Sequence, residues 1–479
     1  MTSMVPFLST TDNLPGFLRI LRAAAFASIY DGPPPKLDCS GSILSEIECR
    51  QWFAGCTLIG PENRIIGPRG ISYRPEAFNA AYGGKQFVNT PDGKTTNRAW
   101  EAATNSMLWT VPKVDGTRFL PGRPTGEIST DALGRSYVNT YVPASIETIH
   151  GDVTPFLRHL ELLLPDQNDR RVFIEYLAHN VKYPGYKIPW APLIQSTEGV
   201  GKNAIKQVMR YAIGSHYFYE PKARQLNESG SKFNAWMEGR LFFLVDEIKT
   251  DEKRDMVETL KPFVTETQLE IEGKGVNQRM GDTPGNWLFF SNHRDAIPIH
   301  RNGRRFAIFY SAIQSAADLA ARGMDDAYFA RLYGWLGDHQ NGGHLYGLKA
   351  VAGWLMAYPV ERGAIAQRAP LTSSTEAALI ESRGWLAQLI MEAVDGEANG
   401  FRGGWISTSA VQRLLAGQRK AVASRSLGQA LEELEYHRIG QAGRGYMQDD
   451  PANPTKRPWL WSLSPNASLA DYGRAQGYE

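Results

Sequence analysis

Two carboxylates, one lysine and one amide stand at positions in this sequence where their chemistry points to phosphate. The lysine belongs to Gln195-Ser196-Thr197-Glu198-Gly199-Val200-Gly201-Lys202-Asn203. That stretch follows the apolar run 191–194 and opens a helical pattern over 204–213. A strand, a glycine-rich turn, a lysine and a helix together suit an anion. Backbone N–H groups of the turn point at the ligand, and the lysine neutralises its outer charge. The full phosphate-loop pattern is GxxxxGK[ST]. Here Ser196 replaces the first glycine and Asn203 replaces the hydroxyl residue that ordinarily ligates Mg²⁺. A carbonyl oxygen of Asn203 can serve as that ligand. Glu198, Gly199, Val200, Gly201, Lys202 and Asn203 are therefore the candidate nucleotide-binding residues. Taken alone, the stretch also reads as a glycine turn with a surface lysine.

The carboxylates close the apolar run 241–245, as Asp246-Glu247, 44 residues beyond Lys202. That interval has room for one crossover helix and an additional strand. Asp246 there can hold a metal's ligand shell together with Asn203, and Glu247 can polarise an attacking water. Two solvated acids, or a capping Asp246, would look the same in isolation. The amide, Asn292, ends the run Trp287-Leu288-Phe289-Phe290-Ser291, 46 residues after the acid pair. It can hydrogen-bond a terminal phosphate or the lytic water. Arg304 and Arg305, in Arg301-Asn302-Gly303-Arg304-Arg305-Phe306, can reach a phosphate on a neighbouring subunit, or form a solvated basic turn.

The elements that must position these groups are legible as changes of texture. Residues 1–150 open with an amphipathic helix pattern over 16–30 and continue, rich in Gly, Pro, Asn and Thr, as a mixed or β-rich domain. Residues 151–187 read as a helical hairpin broken at Pro165-Asp166, with His159 on the apolar face of its first helix. Residues 188–312 alternate short apolar runs with polar helical stretches, the texture of a mostly parallel sheet. Residues 313–370 are helical again. Pro370-Leu371-Thr372-Ser373-Ser374 reads as a linker into residues 371–479.

With loop, acid strand, amide strand and the Gly303-Arg304-Arg305-Phe306 turn in this order, the sequence resembles the superfamily 3 helicases. It looks most like the phage and mobile-element primase-helicases related to the poxvirus primase-helicase. The resemblance spans roughly residues 50–312 and is most specific over 190–310. It implies an AAA+-like P-loop ATPase core in an α/β fold, assembled as a ring, commonly a hexamer. ATP and Mg²⁺ would sit between subunits, with Lys202, Asn203, Asp246, Glu247 and Asn292 from one protomer and Arg304 or Arg305 from the next. The region between the Asp246-Glu247 pair and Asn292 would form a β-hairpin entering the ring pore, with Lys274 touching single-stranded DNA and Lys261 and Arg279 as further contacts. An ordinary hairpin with a solvated lysine is the alternative. The replacements at Ser196 and Asn203 bear on hydrolysis rate more than on nucleotide binding. No paired-acid DxD with a partnered histidine stands in residues 1–150, so primer synthesis is expected from a separate primase or polymerase.

Residues 375–465 carry three helical patterns and two strand-like pieces joined by a loop over 443–458, the layout of a winged helix. Arg425 on its recognition helix, and Arg444, Lys456 and Arg457 on its wing, are the candidate DNA contacts, with a partner-protein role also open. Residues 402–457 hold nine basic and five acidic side chains. The chain as a whole carries only +2, which neither demands nor excludes nucleic acid. Three cysteines, Cys39, Cys49 and Cys56, lack metal-knuckle spacing and are read as reduced thiols. No apolar run approaches the length of a membrane span, and no secretory segment is read. A cytoplasmic, ATP-driven DNA helicase serving a phage or mobile element is the leading expectation. A non-translocating ATPase switch or loader, and a DNA-binding structural protein with a decayed nucleotide site, are the alternatives.

Overall fold

The computed structural model describes residues 43–222, 225–226, 234–248, 254–273, 276–294, 296–297, 303–337, 344–381, 385–417, 422–442 and 457–477. The helix pattern read over 16–30 and Cys39 lie outside them.

A five-stranded, all-parallel sheet organises the centre of the chain. Its strands are β1 (Ala191–Gln195), β2 (Phe218–Tyr219), β3 (Phe242–Val245), β6 (Asn286–Ser291) and β7 (Phe306–Tyr310). The spatial order is β2-β3-β6-β1-β7. The antiparallel hairpin β4 (Gln268–Gly273) and β5 (Val276–Asp282) stands apart from it.

Strand alternation explains why the four apolar runs are continuous rather than amphipathic. Phe242, Leu244, Leu288, Phe290 and Phe309 enter one core, while Phe243, Val245, Trp287, Phe289 and Ile308 enter the other. Both faces are covered, so the strand interiors are apolar and the buried polar residues Gln195, Asn286 and Ser291 stand only at strand ends. The first core is closed by α1 (Thr154–Leu163), α2 (Gln167–Lys182), α3 (Lys202–Ile213), α5 (Asp326–Leu336) and α6 (Tyr346–Ala357). The second is closed by Leu260, Phe263 and Val264 of α4 (Arg254–Thr265), with Met237, Ile248 and Ala378. Trp287 stacks on Phe243 at 4.4 Å between ring centroids and on Phe263 at 6.0 Å. Tyr176 of α2, fully buried, donates from its hydroxyl to the Trp287 carbonyl at 2.7 Å.

Ahead of this centre, residues 43–139 form three small sheets and short helices around Phe53, Phe78, Phe87 and the buried free thiols Cys49 and Cys56. Burial pushes both thiols up to about 11. The stretch 370–374 differs from the linker expected. Ser373 donates to the Asp169 carboxylate at 2.6 Å, Tyr310 N–H donates to Ser374 Oγ at 2.8 Å, and Thr372 Oγ1 donates to the Ile308 carbonyl. It is strapped to the edge of the sheet, because β7 has a free hydrogen-bonding side that the Thr372 and Ser374 hydroxyls occupy, while Ser373 ties it to α2.

Beyond it lie α7 (Trp385–Asp395), β8 (Trp405–Ser407), α8 (Thr408–Gly417), α9 (Ser424–Glu433), β9 (His437–Gln441), β10 (Trp459–Ser462) and α10 (Leu469–Gln476). The three strands form an antiparallel sheet in the order β8-β10-β9. The helical patterns and the two late strands were read from sequence; β8 and α10 were not.

Candidate functional site

The loop between β1 and α3 turns on two residues with left-handed backbone, Gly199 (φ +75°) and Gly201 (φ +84°). Gly201 caps α3, so Lys202 and Asn203 begin its first turn, where unsatisfied N–H groups collect. Ser196 has no such backbone requirement. It is fully buried, its N–H donates to the Ser291 carbonyl at 3.1 Å, and its φ is not positive, so a glycine is unnecessary there. A Cβ at Gly199 would meet open space, whereas one at Gly201 would lie 2.7 Å from His159 Cε1 and 2.8 Å from Phe329 Cε1.

Sheet order brings the remaining groups to this loop. β6 lies between β1 and β3, with Gln195 paired to Ser291 and Val245 to Phe289. The C-terminal ends of three adjacent strands thus deliver the loop, Asn292 and Asp246-Glu247 to one edge, where ligands bind in open α/β sheets. Lys202 Nζ donates to Asn292 Oδ1 at 2.6 Å, and Asn292 Nδ2 donates to Glu198 Oε1 at 3.3 Å. Burial pulls the Lys202 ammonium down from its ordinary value, while Asp246, Glu247 and Glu198 pull it back up. Glu247 adopts φ +58°, a strained backbone for a side-chain-bearing residue. These groups line a cleft of about 300 Å³.

The donor set fits Mg²⁺. Asn203, Asp246, Glu247 and Glu198 all line the cleft and all offer hard oxygen, with Asp246, Glu247 and Asn203 exposed to solvent. Lys202 is bonded to the amide of Asn292 rather than to the Asp246 carboxylate, which leaves that carboxylate available. Among the described residues no group of three or more His, Cys, Asp and Glu side chains is placed to hold a metal ion without further ligands.

Sequence reasoning missed four residues of this site. Phe329 and Tyr333, from α5, form one wall of the cleft. His159 of α1 is fully buried beneath the loop, with Nε2 at 3.1 Å from the Gly201 carbonyl and Nδ1 at 3.0 Å from the Tyr328 hydroxyl. A carbonyl only accepts, so Nε2 carries the proton and Nδ1 accepts from Tyr328. Burial lowers this histidine to about 4, keeping it neutral. The available signal was the aromatic spacing Phe329, Tyr333 on one helical face.

Other expected positions are not gathered here. Arg304 and Arg305 precede β7 at the opposite edge of the sheet, where the Arg305 carbonyl accepts from Ala191 N–H. A strand of this length, roughly 13 Å, separates them from the cleft of the same chain. Lys274 lies outside the described residues, as do Arg444 and Lys456. Lys261 is on α4, the helix leading into the hairpin, and Arg279 is on β5, exposed and paired to Glu238 at 2.7 Å. Arg425 is exposed in the first turn of α9, and Arg457 is exposed just before β10.

The hairpin root is held from two directions. Asp282 accepts from Arg118 Nε at 2.7 Å and Nη2 at 2.8 Å, from Phe119 N–H at 2.9 Å and from Gln268 at 3.0 Å. Lys187 donates to the carbonyls of Phe263, Thr283 and Gly285 at 2.7–3.2 Å. The first ties the hairpin to the N-terminal module; the second ties it to the connector after α2.

Residues 194–305, which hold the glycine loop, α3, β2, β3, the hairpin and β6, match a family of unknown function (DUF5906). No curated protein matches the sequence. Among solved structures, the apo structure of the NrS-1 C-terminal region (305–718) superposes with TM-score 0.58 at 14% identity, covering 85% of this chain and 96% of that one. The A form of the same region gives 0.52 at 15% identity, covering 75% and 86%. At such identities the likeness is one of fold. A ligand-bound JCV helicase aligns at a TM-score of only 0.26 and 13% identity, over 56% of this chain and 65% of that one.

Proposed function

We propose that the protein is an ATP-dependent, ring-forming DNA helicase that translocates on single strands during replication of a phage or mobile element. One observation carries the reading. A glycine loop with its lysine, an acid pair and an amide converge at the C-terminal edge of three adjacent parallel strands. Phosphoryl transfer needs positioning and charge neutralisation, and these four parts supply both.

In this reading the N–H groups of the loop and the first turn of α3 cradle the phosphates, and Lys202 neutralises the outer ones. Asn203 and Asp246 would hold Mg²⁺, which would supply neutralisation of the phosphate charge. Glu247, fixed by its left-handed backbone, orients the attacking water and takes its proton. Asn292 exchanges its bond from Lys202 for one to the terminal phosphate or that water. Arg304 and Arg305, at the far edge of the sheet, would serve a neighbouring protomer, which is how a ring would complete each site. The β4–β5 hairpin, with Lys274 between its strands in sequence and Arg279 on β5, would grip the strand in the pore, with Lys261 on α4 behind it. The C-terminal module, as a winged helix, would add DNA contacts through Arg425, Arg444, Lys456 and Arg457. A separate primase or polymerase would supply primers.

The test is strand displacement on a forked duplex with ATP hydrolysis measured alongside. Lys202→Ala and Glu247→Gln should abolish both, and Lys274→Ala should reduce unwinding while sparing nucleotide binding. Undiminished hydrolysis by either active-site variant overturns the assignment.

A further inference from the structure

The cleft lining is of two chemical kinds. Lys202, Asp246, Glu247 and Asn292 are polar, and Phe329 and Tyr333 are aromatic. The two rings lie four residues apart on α5, hence on one helical face, with centroids 6.4 Å apart and planes only 26° from parallel. Both are half-buried, although α5 already anchors itself in the core through the buried Leu332 and Leu336. Both rings also pack against the edge of that core, and each still contributes to the lining of the cleft. Phe329 also touches the loop itself, since its Cε1 approaches to 2.8 Å from where a Gly201 Cβ would stand. Tyr328, the preceding residue, is tied through His159 to the Gly201 carbonyl. The aromatic wall and the loop are thus fixed relative to one another by a hydrogen-bonded strut from α1.

We infer that Phe329 and Tyr333 form the subsite for the base of the nucleotide, which stacks on their faces while its phosphates occupy the loop. The inference rests on the cleft being a nucleotide site. The ligand class is a nucleoside triphosphate recognised through the π-face of its base. Stacking is tolerant of base identity because every base presents such a face. The Tyr328–His159–Gly201 strut makes His159 a positioning residue, setting the spacing between base wall and phosphate loop without touching either part of the ligand.

Calorimetric titration with ATP and with inorganic tripolyphosphate separates base from phosphate recognition. Phe329→Leu keeps an apolar side chain in place but removes the ring. It should weaken ATP roughly ten- to a hundredfold and leave tripolyphosphate unchanged. Phe329→Tyr should restore ATP affinity, and Tyr333→Leu should behave like Phe329→Leu. Lys202→Ala should weaken both ligands. Wild-type ATP affinity in Phe329→Leu and Tyr333→Leu overturns the subsite, and so does equal loss of ATP and tripolyphosphate, which would make the rings supports of the loop. Failure of the wild-type protein to bind either ligand would instead sink the nucleotide reading itself.

Discussion

Gly199 and Gly201 provide a matched pair, because both have left-handed backbone but only one is crowded. Substituting alanine for either forces a Cβ into a region that L-residues occupy at roughly 1–2 kcal/mol. At Gly199 nothing lies within 4 Å of that Cβ, so the backbone term is the whole effect. At Gly201 the new methyl would lie 2.7 Å from His159 Cε1, 2.8 Å from Phe329 Cε1 and 3.1 Å from His159 Nε2. His159 cannot retreat, since it is fully buried and both ring nitrogens are bonded. Overpacking a fixed neighbour adds roughly 1–3 kcal/mol. Gly199→Ala should therefore lower local stability by roughly 1–2 kcal/mol and Gly201→Ala by roughly 2–5 kcal/mol. Hydrogen exchange of peptides spanning β1 and α3, without nucleotide, reads the opening free energy of this segment alone. Gly201→Ala should also speed exchange in peptides from α1 and α5. Equal effects of the two substitutions, confined to the loop, would refute the strut between His159, the loop and α5.

Glu247→Gly should raise stability by roughly 0.5–1 kcal/mol by relieving the φ of +58° while abolishing hydrolysis, a split that denaturant melts and a phosphate-release assay would record. Asp282→Ala should free the hairpin root by leaving Arg118, Phe119 N–H and Gln268 unpaired, at roughly 2–4 kcal/mol, visible as faster exchange in β4 and β5. His159, lowered to about 4 by burial, gives a pH test. The unfolded chain takes up its proton near the ordinary value of 6.5, before the folded chain does. Stability should then fall by roughly 3 kcal/mol as pH drops from 6.5 to 4, and His159→Gln should flatten that slope in urea melts.

The chemical groups of the site were legible because each is written locally. A glycine loop before a helix, acids at a strand end and an amide at a strand end all lie within a few residues of the element that carries them. The four long strands were legible for a similar reason: both faces of the sheet are covered, so Phe242, Leu244, Trp287 and Phe289 can all be apolar. The two-residue β2 was too short to show, although the interval before Asp246 left room for it. The strap at 372–374 looked like a linker because serine and threonine favour loops, and nothing local says that β7 bonds the hydroxyls of Thr372 and Ser374.

What the sequence by itself determined is therefore the inventory: a glycine loop with its lysine, two acids, an amide, and the periodicities of the elements bearing them. What only the tertiary structure decided is adjacency. Placing β6 between β1 and β3 puts Asn292 on Lys202, although 90 residues separate them along the chain. Packing α5 over the loop gives the cleft its aromatic wall, and burying His159 beneath Gly201 makes a core histidine a strut. Strand order and helix docking are set by the burial of whole faces, a sum over many residues that no local motif records.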